Sequence, residues 1–155
     1  MASSLISEPG RSQQSGDLAL QLALAAAKTA EENRGRDIVV LDLRQVTPIF
    51  DYFVIATGTS RRQLHAMSEE IDHKLEDDLN DKRLNIEGYR ESRWILLDYG
   101  NVVIHLFDEP TREYYALEQL WCQAKRVDLS GVLTGAIAED DALPAGFAVE
   151  LRGEV

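Results

Sequence analysis

The chain has 155 residues, 45% hydrophobic and 28% charged, with 16 bases against 27 acids and a formal net charge of −11, enough for one domain with a proper core. A single cysteine, Cys122, rules out an intramolecular disulfide, nothing resembles a thiolate metal site, and a reducing compartment fits. The N-terminal MASSLISEPGRSQQSGD has no apolar core beside a basic end, and the apolar run from Leu18 to Ala30 is interrupted by Gln21 and Lys28, so neither a targeting peptide nor a membrane span is expected and the cytoplasm is the expected location.

Residues 1–16, rich in Ser, Gln and Gly, are expected to be disordered. From Asp17, a plausible N-cap, LALQLALAAAKTAEENRG predicts a helix of strong formers with leucines at 18, 20, 22 and 24, ending near Gly35. DIVVLDL (37–43) and DYFVIATG (51–58) are nearly continuous apolar runs separated by a turn at Thr47-Pro48, which predicts two strands in the middle of a sheet. Ser60 with Gln63 writes a capping box, and Leu64, Met67, Ile71, Leu75 and Leu79 form one stripe of the helix that follows. LNIEGY (84–89) predicts a short edge strand. Pro110 suits the first turn of a last helix, TREYYALEQLWCQAKRV, with Tyr114, Leu117 and Trp121 along one stripe. Residues 128–155 mix Gly, Ala, Pro and acids without period and are expected to be a flexible extension.

Between the edge strand and the last helix lies WILLDYGNVVIHLF, Trp94 to Phe107. Gly100-Asn101 between two branched and aromatic runs predicts a two-residue primed turn. The register follows. Tyr99, Leu97 and Ile95 face Val102, Ile104 and Leu106 on an apolar side, while Asp98, Leu96 and Trp94 face Val103, His105 and Phe107 on a mixed one. The first side reads as core. The second has the composition of an interaction surface, or else of a face covered by a further layer with His105 and Asp98 at its margin. The order helix, two strands, helix, three strands, helix gives an α/β fold: a single mixed sheet of about five strands with flanking helices.

The charge is unevenly placed. Residues 68–81 hold seven acids against Lys74, and 127–155 hold six against Arg152, so −6 and −5 account for the whole excess of −11. Such a field disfavours direct binding of DNA or RNA and suits a basic protein, although acid runs are also ordinary solvated surface.

Catalytic motifs are weak. Gly58-Thr59-Ser60 at a strand-to-helix junction suits phosphate binding of the kind nucleotidyltransferases use, but the paired strand acids that would hold magnesium are missing, since Glu87 and Asp98 stand alone on their strands. His65 and His73 lie about two helical turns apart with no third ligand spaced to join them, and no nucleophile is readable near His105. A binding module without cofactor or metal is the expectation.

DIVVLDLRQVTPIFDYFVIATGTSRRQLHAM, then EGY, WILLDYGNVVIHLF and REYYALEQLWCQAKRV, resemble in order and spacing the ribosomal silencing factor family, also called Iojap-like proteins, over about 20–126 of a domain placed at 17–127. The resemblance implies a nucleotidyltransferase-like α/β fold without catalysis, dimeric when free. It also implies binding to a basic protein, the fourteenth of the large ribosomal subunit, so that subunits cannot join and translation falls when nutrients are scarce. Carried onto this chain, the partner-binding set is Trp94, Leu96, Asp98, Tyr99, Gly100, Asn101, His105 and Phe107, with Trp94 as anchor, Leu96 and Phe107 as its apolar surround and Asp98 as acceptor for a partner Lys or Arg. Asn101 departs from the aspartate usual in the family and removes one charge from the rim. A large-subunit assembly adaptor on the same surface, or a small nucleotide-dependent enzyme at Gly58, are the alternatives.

Overall fold

A computed structural model of the chain describes residues 13–134. Residues 1–12 and 135–155, where disorder and flexibility are expected, lie outside them. The elements are α1 (Gln13–Glu32), β1 (Arg36–Asp42), β2 (Tyr52–Gly58), α2 (Arg61–Leu79), β3 (Asn85–Glu87), β4 (Trp94–Asp98), β5 (Val102–Asp108), α3 (Glu109–Tyr115), α4 (Leu117–Leu120) and β6 (Lys125–Arg126). The strands make one mixed sheet in the order β3-β4-β5-β2-β1-β6. β2 and β5 run parallel at its centre, and every other neighbouring pair is antiparallel. This is the expected α/β class with one more strand.

The hairpin has the register that its two-residue loop demands, from Trp94 opposite Phe107 to Asp98 opposite Val103, with the Tyr99 N–H donating to the Val102 carbonyl at 3.0 Å. Gly100 takes φ +92° and Asn101 a negative φ, so the turn is the type with glycine in its first central position. The Asn101 carbonyl accepts the amides of Asp51 (2.7 Å) and Tyr52 (3.2 Å), which ties the turn to the start of β2.

Two apolar layers flank the sheet. On one side α1 and α2 cover Val40, Tyr52, Val54, Ile95, Leu97, Val102, Ile104 and Leu106. The stripe of α1 that does so is Ala19, Ala23, Ala26, Ala27 and Ala30, at helical spacing and each at most 3% exposed, while Leu18 is exposed and Leu20, Leu22 and Leu24 are partly buried. Methyl groups let the helix sit close to the strands. α1 also starts earlier than an Asp17 N-cap allows: Gly16 is itself buried, so tertiary contact carries the helix a turn further out. α2 is capped as its sequence predicts, with the Gln63 N–H donating to Ser60 Oγ at 3.0 Å and Gln63 Oε1 accepting the Thr59 N–H.

The other side is covered differently from expectation. The helix predicted over TREYYALEQLWCQAKRV is broken at Ala116, which adopts a left-handed φ of 47°, and the chain then returns as β6 along β1. The break costs roughly 1–2 kcal/mol of backbone strain. It turns Leu117 under the sheet and brings Trp121 edge-on to Phe53, ring centroids 5.7 Å apart, and burying one leucine recovers about 2 kcal/mol. Arg112 fastens the break. Its guanidinium donates to Thr57 Oγ1 at 2.7 Å and to both carboxylate oxygens of Glu118 at 3.1 and 2.8 Å, which holds the Glu118 carboxyl below its usual range. Beyond β6, Leu129 and Leu133 are buried in the α1 side of the core, so the packed part of the chain runs past the boundary at 127 read from composition. Two leucines four apart supply that anchor inside a stretch whose overall composition looks like a linker.

Candidate interaction face

With long helices on one side only, the opposite face of β4 and β5 is closed by short segments and remains open toward the β4 edge. Along β4 the alternation is plain: Ile95 and Leu97 are buried, whereas Trp94, Leu96 and Asp98 are half-buried on the open side. Trp94 lies across Phe107, ring centroids 4.8 Å apart, and against Tyr115 of α3 at 4.9 Å. Its indole N–H donates to His105 Nδ1 at 3.1 Å. That bond places the imidazole proton on Nε2.

His105 is 4% exposed and held edge-on to Phe53 at 4.5 Å, and burial pushes its pKa down to about 3. The ring is therefore neutral at physiological pH. Its Nε2 has no hydrogen-bond partner among the described residues, a cost of about 1–3 kcal/mol. In return the indole has one fixed orientation, with its outer side facing solvent.

The eight residues of the expected partner set do not share one surface. Trp94, Leu96, Asp98, Gly100 and Asn101 lie at the open face and the turn; Phe107 and His105 are the buried floor beneath the indole. Tyr99 is on the wrong side for it. Strand alternation sends its ring toward α2, where it is 6% exposed and its hydroxyl donates to Asp72 Oδ1 at 2.8 Å; burial and that bond raise its pKa. Asp98 has a local task as well, its Oδ1 accepting the Gly100 N–H at 2.8 Å and so bracing the turn. The family motif placed Tyr99 in the set, whereas its own strand parity had already assigned it to the core.

Two residues absent from that set complete the face. Tyr114 and Tyr115, 80% and 52% exposed, stand nearly perpendicular with centroids 5.0 Å apart beside Trp94. Helical spacing predicts Tyr114 along one stripe with Leu117 and Trp121. Adjacent tyrosines on a helix point in different directions, however, and a seven-residue helix capped by Asp108 leaves both outside.

The Gly58 junction is occupied by its own structure. A Cβ at Gly58 would come within 2.7 Å of Leu64 Cδ2, and the Thr59 amide and hydroxyl both reach Gln63 Oε1. His65 Nε2 lies 2.7 Å from the Tyr89 carbonyl, which can only accept, and 2.6 Å from Ser92 Oγ, and His73 pairs with Asp77 at 2.9 Å. These contacts use the polar groups that an enzymatic reading would need. No helix among the described residues is long and apolar enough to cross a membrane.

An α/β sheet with long helices on one face and short segments on the other, which leaves a pinned indole and exposed tyrosines at the edge of the second face and fills its strand-to-helix junction with local bonds, has the features of a binding protein. The sequence matches the family described as "Ribosomal silencing factor during starvation" over residues 17–146. It is 37% identical over 115 residues to the ribosomal silencing factor of Halalkalibacterium halodurans, covering 74% of this chain and 95% of that one. It is 41% identical over 93 residues, 58% of this chain and 40% of the other, to the mouse protein named "Mitochondrial assembly of ribosomal large subunit protein 1". A crystal structure of a Chromobacterium violaceum protein superimposes with a TM-score of 0.64 at 32% identity, covering 66% of this chain and 85% of that one. The chain belongs to the ribosomal silencing factor family, whose members are ribosome-associated regulators of translation and not enzymes. The matched region continues about twenty residues beyond the end of the resemblance read from motifs, in keeping with the buried Leu129 and Leu133.

Proposed function

We propose that the face around Trp94 binds a basic protein of the large ribosomal subunit, the fourteenth, and that the bound protein occludes the small subunit and lowers translation when nutrients are limiting. The observation that carries this reading is the half-buried indole held by His105, Phe107 and Tyr115, an aromatic anchor kept in one orientation before a partner arrives. Leu96 extends the apolar contact, and Asp98 and Asn101 form a polar rim. The acids of α2, among them Glu69, Glu70, Glu76, Asp77 and Asp78, are exposed and steer approach to a basic surface. On the same reading the protein works in the cytoplasm, as its bacterial relatives suggest, and is a homodimer when free.

The test is reconstitution from purified components. Added protein is expected to stop purified subunits from joining, and excess fourteenth protein to relieve the effect. Trp94→Ala, at a half-buried position, is expected to leave the circular dichroism unchanged and weaken co-sedimentation with large subunits by roughly thirty-fold or more. Undiminished co-sedimentation of that variant removes the indole from the interface. The name of the mouse relative favours a second reading, an adaptor in large-subunit assembly using the same face. The two separate on mature subunits: a silencer blocks their joining, whereas an adaptor binds assembly intermediates and leaves mature subunits free to join.

A further inference from the structure

Between β4 and α3 lies a groove of about 560 Å³ lined by Trp94, Tyr114, Tyr115 and Pro110, with Glu91 and Arg93 at its edge. Three rings give it walls in different planes: Tyr114 and Tyr115 meet at 89°, and Tyr115 is tilted 49° from Trp94. An apolar side chain would find these walls adequate, but so much exposed π surface in a corner is better suited to a flat cation, which gains from each ring face it touches. Among the described residues no cation is stacked on these rings. Among the described residues the cation–ring contact is Arg44 over Tyr52, away from this groove, and the Arg112 side chain is committed to Thr57 and Glu118. Charge complementarity to a basic partner comes from the chain as a whole, at a formal −11, and at the groove itself from the exposed Glu91, with Arg93 the one base lining it.

We infer that this groove is a receptor for an arginine side chain of the basic protein partner, with the guanidinium against Tyr114 and Tyr115 and within reach of Glu91. The inference rests on the proposed docking of a basic protein beside Trp94 and names what that partner inserts. Tyr114 is the informative position because at 80% exposure it carries little of the fold.

Two measurements test it. The first titrates the full chain with arginine amide and with citrulline amide, its uncharged isostere, following the Trp94 indole N–H and the Tyr114 and Tyr115 ring signals by NMR, with Trp94→Phe used for assignment. Saturable shifts with arginine amide and none with citrulline amide are expected. Equal responses to both, or none to either, overturn the inference. The second compares large-subunit binding of Tyr114→Leu, which keeps apolar bulk and removes the ring, with Tyr114→Phe, which keeps the ring. Tyr114→Leu is expected to lose roughly 3- to 30-fold in affinity and Tyr114→Phe to stay near the parent. Equal affinities for Leu and Phe also overturn it. Trp94→Ala run in parallel separates the two levels: loss of binding there with a silent Tyr114→Leu removes the arginine receptor and leaves the docking face standing, whereas retained binding there removes the docking face.

Discussion

Replacing His105 by glutamine is expected to change how the stability of the protein depends on pH. In the folded state the imidazole is buried and its pKa lies at about 3, whereas in an unfolded chain it titrates near 6.5. A folded pKa below the unfolded one means that the unfolded chain binds the extra proton as pH falls through 6.5, so stability is lost from there down to about 3. The limiting slope is about 1.4 kcal/mol per pH unit, and between pH 7 and pH 5 the loss amounts to about 2 kcal/mol. Carboxylates contribute to the same curve, which is why the difference between parent and His105→Gln carries the information. Urea unfolding at pH 7 and pH 5, followed by circular dichroism, is expected to show the parent losing about 2 kcal/mol more than the variant, equivalent to roughly 4–8 °C in melting temperature. Parallel pH profiles for the two proteins would refute the assignment of a buried neutral imidazole beneath the indole.

Gly88 has φ +77°, and a Cβ there would stand 2.0 Å from the carbonyl oxygen of Trp94; Gly88→Ala is expected to cost about 3 kcal/mol or more in urea unfolding and to shift the Trp94 indole resonance. Ala23 is fully buried in the close contact of α1 with the sheet, and Ala23→Leu is expected to destabilise by about 1–3 kcal/mol through overpacking, read from the same unfolding curves. Ala116→Gly removes the left-handed strain at the break between α3 and α4 and is expected to raise the unfolding free energy by about 1 kcal/mol.

The parts of the fold legible in the sequence were those fixed by local chemistry. Gly100 and Asn101 leave a two-residue loop one register, and Ser60 with Gln63 satisfies its own helix start, so the hairpin and α2 could be read residue by residue. The C-terminal region could not, because helix propensity in REYYALEQLW is overruled by what Leu117 and Trp121 gain under the sheet, and a two-residue strand such as β6 carries no periodicity to read. On α1 the large residues drew attention while the small ones made the contact. Within the candidate site, Trp94, Leu96 and Asp98 followed from strand alternation and occupy the open face. Tyr99 was carried in by its place in a motif. Tyr114 and Tyr115 were missed because their exposure depends on where α3 stops, which Ala116 decides through its backbone.

The parallel pairing of β2 with β5 also bears on synthesis. Tyr52 to Gly58 find their partners in Val102 to Asp108, and the amides at the start of β2 close on the Asn101 carbonyl. One edge of an entirely buried strand therefore stays unpaired while α2, β3 and β4 emerge from the exit tunnel, and it is satisfied only when the hairpin arrives. While the fifty residues between the end of β2 at 58 and the end of β5 at 108 are made, the nascent chain carries an apolar ribbon with open amides, so that interval is its most aggregation-prone stage.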